Sequence, residues 1–108
     1  MSVEDVFIKA AKGLNLCELI DVNGNGRLVE PYMVYTSNRG KRLFHCYQLS
    51  GYSKSGEPQG WKNPEERSFA SANVREETFT QRREYNPFNM KMFPTVHFSI
   101  STADGRQR

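Results

Sequence analysis

Six cations and two large aromatic side chains are gathered in the middle of the sequence: Arg27, Arg39, Lys41, Arg42, Lys54 and Lys62, with Tyr52 and Trp61. Ammonium and guanidinium groups attract phosphate, and aromatic faces stack on bases and on cations. Together they are the equipment of a single-stranded nucleic-acid or nucleotide site. Ser50, Ser53 and Ser55 add hydroxyls beside glycine-flanked backbone amides, which suits phosphate or another small polar group. These eight cationic and aromatic residues are the predicted ligand-binding set. A loop folded across the strand ends would bring them into one patch. The competing use of the same residues is a solvated basic rim, with Trp61 plugging the core.

Other chemistries find less material. Asp21-Val22-Asn23-Gly24-Asn25-Gly26 resembles the start of a calcium loop. The twelfth position, which needs a bidentate Glu, is Tyr32, and no helix pattern precedes the segment. A hairpin turn explains the same residues. Cys17, Cys46, His45 and His97 are the soft metal ligands, without close paired spacing. His45 and Cys46 are adjacent, so on a strand they face opposite ways and cannot act as base and nucleophile. Glu30, Glu76 and Glu77 sit in ordinary charged contexts. The expectation is therefore a non-enzymatic protein without metal or cofactor.

The elements that must position the basic and aromatic set centre on 27–50. Two apolar-rich runs there are joined by Ser37-Asn38-Arg39-Gly40, with Gly40 suited to a hairpin turn. Leu43, His45, Tyr47 and Leu49 share one face of the second run. Arg42, Phe44, Cys46 and Gln48 share the other. Neither face is cleanly polar, which suits a small barrel or a sheet covered on both sides. Pro31 cannot donate to a ladder, so an edge, bulge or bend is expected there. A further strand over 16–22 and an Asn-Gly turn complete a three-stranded meander.

Ser2–Lys12 has helical apolar spacing at Val3, Val6, Phe7, Ala10 and Leu14. Ser2 is its cap, Asp5 gives a partial capping box, and Gly13 is a stop. Later strands are expected over 74–80 and 96–100. The second of these could fold back on the body or pair with another copy. The predicted division is a helix at 2–12, a core over about 16–80, a polar loop at 51–60 and an apolar extension at 85–101. Residues 102–108 read as a frayed tail.

The chain has 108 residues, enough for one domain, with 15 basic and 12 acidic side chains and a net charge of +3. This mild excess permits an anionic partner without demanding one. The two cysteines are expected reduced and buried. No apolar run approaches the ~20 residues of a membrane span, and the N-terminus lacks a signal-peptide pattern, so a cytoplasmic protein is expected.

Leu28-Val29-Glu30-Pro31-Tyr32, the turn at Gly40, the run through Tyr47 and the segment Phe69–Val74 resemble the WYL domain. The loop Ser50–Gly56 and the step Gly60-Trp61-Lys62 are similar to a small stand-alone branch of WYL-like proteins. Arg42-Leu43-Phe44 stands where the namesake residues belong, and Ala70, Ala72 and Asn73 replace the usual Arg, Asp and second Arg. The resemblance implies a mainly β fold, a small Sm-like or SH3-like barrel with a short N-terminal helix. It also implies a bacterial regulatory sensor domain with nucleic-acid or nucleotide-like ligands. The expected function is thus a regulatory module that binds single-stranded nucleic acid or a nucleotide-like anion, with binding ordering the 51–60 loop. The alternative is a protein-interaction or homo-dimerising module using the apolar segment 85–100.

Overall fold

The computed structural model describes residues 1–108, which form a mainly β fold with one N-terminal helix. The helix α1 (Val3–Lys12) begins as its sequence directs. Ser2 Oγ accepts from the Asp5 amide at 3.1 Å, and the Asp5 carboxylate accepts from the Ser2 amide at 3.3 Å, completing the capping box. Glu4 and Asp5 in the first turn, with Lys9 and Lys12 in the last, complement the helix dipole. Gly13 closes the helix.

Six strands follow: β1 (Asn15–Asp21), β2 (Gly26–Thr36), β3 (Arg42–Gly51), β4 (Gly60–Lys62), β5 (Phe69–Thr78) and β6 (Thr95–Ser99). They form one antiparallel sheet in the order β4-β3-β2-β1-β5, with β6 paired to β2. The path is open, since β4 and β5 do not pair with each other. The expected meander of β1, β2 and β3 is present, turned at Gly24 (φ 86°) and Gly40 (φ 78°). Asp21 Oδ1 accepts from the Asn23 and Asn25 amides at 2.8 and 2.9 Å, so the segment resembling a calcium loop closes a β-hairpin. β5 starts at Phe69, ahead of the expected Val74, and β4 begins at Gly60, the last residue of the expected loop, where no strand was expected.

Pro31 marks the place where β2 changes neighbours. One edge of β2 pairs with β1 over 26–29 and with β6 over 33–36. On its other edge the register with β3 shifts between Pro31 and Met33. A residue without an N–H belongs at such a break, and the extra residue, Tyr32, bends the strand.

Both faces of the sheet are covered. Phe7, Ala10, Cys17, Leu19, Val29, Val34, Phe44, Cys46 and Phe69 pack on one, with the Phe7 and Phe44 rings stacked at 4.1 Å. Tyr32, Met33, Tyr35, Tyr85, Phe93 and Ile100 pack in a second cluster, against which Leu43, Tyr47 and Trp61 lean. Alternate residues of β3 thus serve different clusters, which explains why neither face of that run is polar. Tyr85, Phe93 and Ile100 are buried within the chain, and β6 folds back onto β2. The tail, expected to fray, is tied down. Gln107 donates to the Ser99 carbonyl at 2.8 Å and Arg108 to the Pro87 carbonyl at 2.8 Å. No helix is long and apolar enough to cross a membrane.

Candidate anion-binding site

Arg27 is the second residue of β2 and pairs with Gly51 at the end of β3. Gly51 has φ 104°, and a Cβ there would lie 2.8 Å from the Arg27 Cα, so only glycine lets the two backbones approach. The chain then folds over, and the Tyr52 amide donates to the Gly26 carbonyl at 2.8 Å. This sets the Tyr52 ring 5.8 Å from the Arg27 guanidinium carbon, with Phe69 at 5.6 Å. Arg27 Nη1 donates to Gln48 Oε1 at 3.4 Å, and buried Gln48 donates in turn to the Tyr52 carbonyl at 2.8 Å. Arg27 Nε is buried and has no acceptor, and it is the only side-chain nitrogen or oxygen in that condition.

Arg27 makes no salt bridge. It does act on Asp21, whose carboxyl is held below the usual range first by the Asn25 amide, with a smaller contribution from Arg27. That carboxylate is already spent on the hairpin turn. Lys62, in β4 opposite Cys46, has a similar environment. Its Nζ donates to Ser53 Oγ at 3.3 Å and to the Glu57 carbonyl at 2.8 Å, both neutral oxygens. Burial pushes the Cys46 thiol up to about 12, with Arg27 and Lys62 both acting against that shift, so both cations bear on one buried point. A thiol so raised is no nucleophile at neutral pH. An open groove of about 580 Å³ runs between Leu49-Ser50-Gly51 and Gly56–Gln59; its one charged lining residue is Glu57, and Arg27, Tyr52, Lys54 and Lys62 do not line it. Tyr52 is 41% exposed, and Lys54 extends from the loop without a partner.

The predicted residues separate into three places. Arg27, Tyr52 and Lys54 lie at the loop end of the β2–β3 hairpin, and Lys62, opposite Cys46 midway along β3, reaches the loop with its Nζ at Ser53 and Glu57. Arg39, Lys41 and Arg42 lie at the hairpin's turn end, up to about 30 Å from the loop end at ~3.3 Å per residue. There Arg42 donates twice to Glu4, at 2.5 and 3.0 Å, and Lys41 bonds Glu65 at 2.8 Å. The hydrogen bond to Glu4 raises the Arg42 pKa further above its usual value. Arg39 is exposed in the turn and makes no side-chain ion pair. Trp61 leans on the other cluster, against Tyr32, His45 and Tyr47 at centroid distances of 4.9, 4.8 and 5.4 Å.

Gln48 and Phe69, which hold Arg27, were not among the expected site residues. Gln48 read as one residue of an alternating strand, and Phe69 only as the start of the Phe69–Val74 segment. His45 stacks on Trp61 at 9° while Cys46 packs with Phe7 and Phe44, as their adjacency on one strand requires. No group of three or more His, Cys, Asp or Glu side chains converges as a metal site. Neither a family model, nor a curated protein, nor a solved structure matches the chain.

Proposed function

We propose that this chain is a non-enzymatic regulatory module that binds single-stranded nucleic acid or a nucleotide-like anion at the loop end of the β2–β3 hairpin. Arg27 and Lys62 supply the charge, Tyr52 the stacking surface, and Ser53 and Lys54 the loop contacts. The observation that carries this reading is the pairing pattern. Arg27 and Lys62 face only neutral oxygens, and one Arg27 N–H has no acceptor, whereas Lys41 and Arg42 are already neutralised by carboxylates. An anion arriving at Lys62 competes with its contacts to Ser53 and Glu57 and so re-sets the 51–60 loop. That movement is the signal a partner protein reads. The resemblance to stand-alone WYL-like domains, and the Sm-like or SH3-like barrel it implies, belong to the same reading. The second reading, a dimer or partner-protein surface, rests on Met90 and Met92, exposed by 61% and 43%.

The test is titration of the purified chain with labelled short single-stranded DNA and RNA across a salt series. Saturable binding that weakens with salt is expected, with the slope counting the phosphates engaged. Arg27→Gln and Lys62→Gln should each lower that slope by about one. Absence of binding at low salt, to polynucleotide and to nucleotides alike, overturns the proposal.

A further inference from the structure

The sheet ends on β5, which pairs with β1 along one side and with no strand along the other. At 10 residues it is a long edge, and Phe69 alone of them is buried. Strand β1 decides which of its backbone groups face outward. In an antiparallel ladder, alternate residues bond to opposite neighbours. The Asp21 amide donates to the Asn25 carbonyl at 2.9 Å, so Cys17, Leu19 and Asp21 bond to β2. Glu18 and Ile20 therefore bond to β5, at Asn73 and Ser71. The N–H and C=O groups of Ala72 and Val74 are left on the open edge. Such an edge is a template for another strand unless charge, proline or a bulge blunts it. Charge blunts only the second half, at Arg75, Glu76 and Glu77. Ala70-Ser71-Ala72-Asn73 carries no charge, and the strand holds no proline.

We infer that this edge pairs with the same edge of a second copy of the chain, antiparallel about a two-fold axis at Asn73. The charge pattern selects the partner. Antiparallel pairing lays the uncharged half of one strand against the charged half of the other, so no like charges face each other. Parallel pairing in register would set Arg75, Glu76 and Glu77 each against its own kind. The free backbone groups select the register. With Asn73 on the axis, Ala72 of each copy lies opposite Val74 of the other, each facing pair exchanging both N–H···O=C bonds. Centring on Val74 would call on Glu76, whose carbonyl already accepts from Asn15 Nδ2 at 3.4 Å. Centring on Ala72 would call on Ala70, which falls at a shift in the register with β1. Val74, 39% exposed, gains cover from the partner's Ala72, and Ser71 faces the partner's Arg75. A two-fold pairing is isologous, so it closes at two copies. It uses none of Arg27, Tyr52, Lys54 and Lys62, nor the exposed Met90 and Met92, so it stands or falls separately from anion binding and from the methionine surface.

The measurement is sedimentation equilibrium of the purified chain from about 10 µM to about 1 mM. One strand pair buries less than a standard interface, so a Kd on the order of 100 µM is expected. The chain should pass from monomer to dimer over this range, with no larger species. The Ala72 and Val74 amides should gain protection from hydrogen exchange as it does so, and the Met90 and Met92 amides should not. Val74→Pro removes an outward N–H and leaves the β1 pairing whole, so dimerisation should weaken at least about tenfold. Asn73 Nδ2 donates to Glu18 Oε1 at 3.3 Å. Asn73→Lys keeps that partner within the monomer and sets lysine against lysine on the axis, weakening the dimer about threefold or more. Ser71→Glu faces the partner's Arg75 and should tighten the dimer about threefold. A monomer throughout the range overturns the inference, as does assembly beyond two copies. So does a dimer that Asn73→Lys leaves unchanged, whether or not Val74→Pro folds. So does a dimer that protects the Met90 and Met92 amides in place of Ala72 and Val74.

Discussion

The two ends of the β2–β3 hairpin carry the same kinds of side chain in opposite electrostatic settings. At the turn end, Lys41 and Arg42 each sit on a carboxylate, and their partners Glu65 and Glu4 tie the turn to the segment before β5 and to α1. At the loop end, Arg27 and Lys62 hold only an amide oxygen, a hydroxyl and a carbonyl. A paired cation contributes to architecture and has little charge left to offer. A cation held by neutral dipoles keeps its charge, and its position is fixed in advance of any ligand. Positive charge in the sequence is thus a poor guide to a binding site until its counter-charges are located.

Arg82 is the extreme of the paired class. It donates to both oxygens of buried Glu30 at 2.9 and 3.1 Å, lies 3.5 Å over the Tyr47 ring, and its amide donates to Tyr32 Oη at 2.9 Å. Tyr32 Oη in turn donates to Glu30 at 3.1 Å. Removing one partner strands a buried charge, so Arg82→Met is expected to cost about 3 kcal/mol in urea unfolding. A loss under about 1 kcal/mol would show that this pair is no more structural than a surface one.

Next in size is a pH effect at the other cluster. Burial drives the His45 pKa down to about 4, with the Asn63 hydrogen bond opposing. The unfolded chain binds a proton near pH 6.5 that the folded chain refuses until about pH 4. Stability is therefore full above the unfolded value and falls as pH drops through this window. The loss should reach about 3 kcal/mol at pH 4. His45→Gln should remove that component, seen as a flatter stability curve between pH 6.5 and 4. An unchanged slope in the variant would place the titration elsewhere.

Much of the fold was legible because local rules agreed with one another. Ser2, Asp5 and Gly13 bound the helix, the two glycine turns set the meander, and the missing N–H of Pro31 placed the bend. The three-residue β4 was not legible, because its only signal is a register with β3 that no local pattern encodes. The start of β5 at Phe69 was hidden for a related reason. Ser71 and Ala72 are held by pairing with Ile20 and Leu19 of β1, and Ala70 falls at a shift in that register, so pairing rather than the low strand propensity of alanine sets this start. For the site, residue types were readable but partners were not. Glu4 lies 38 residues from Arg42, and Glu30 lies 52 from Arg82. The inward turn of Tyr85, Phe93 and Ile100 likewise depends on contacts distant in sequence.

Smaller again is the effect expected at the turn end. Arg42 is 42% exposed at its side chain, so solvent screens its pair with Glu4. Arg42→Ala should cost no more than about 1 kcal/mol. Nucleic-acid affinity should stay within about twofold of the parent, because a neutralised cation adds little to phosphate attraction. A tenfold loss of affinity at the turn end, measured by the same salt-series titration, would erase the distinction between the two ends.

The smallest change in stability is expected at Arg27, where the comparison is sharpest. Arg27→Met keeps an apolar stem between Tyr52 and Phe69 and removes a buried N–H that has no acceptor. An unsatisfied buried donor costs about 1–3 kcal/mol, and the guanidinium's stacking and its bond to Gln48 return a similar amount. The two nearly cancel, so the unfolding midpoint should move little in either direction. Anion binding, by contrast, should fall and the salt slope should drop by about one. If Arg27→Met unfolds as readily as Arg82→Met, the guanidinium is holding the loop end together rather than waiting for a ligand. The Arg27–Lys62 end would then belong with the turn end, as architecture.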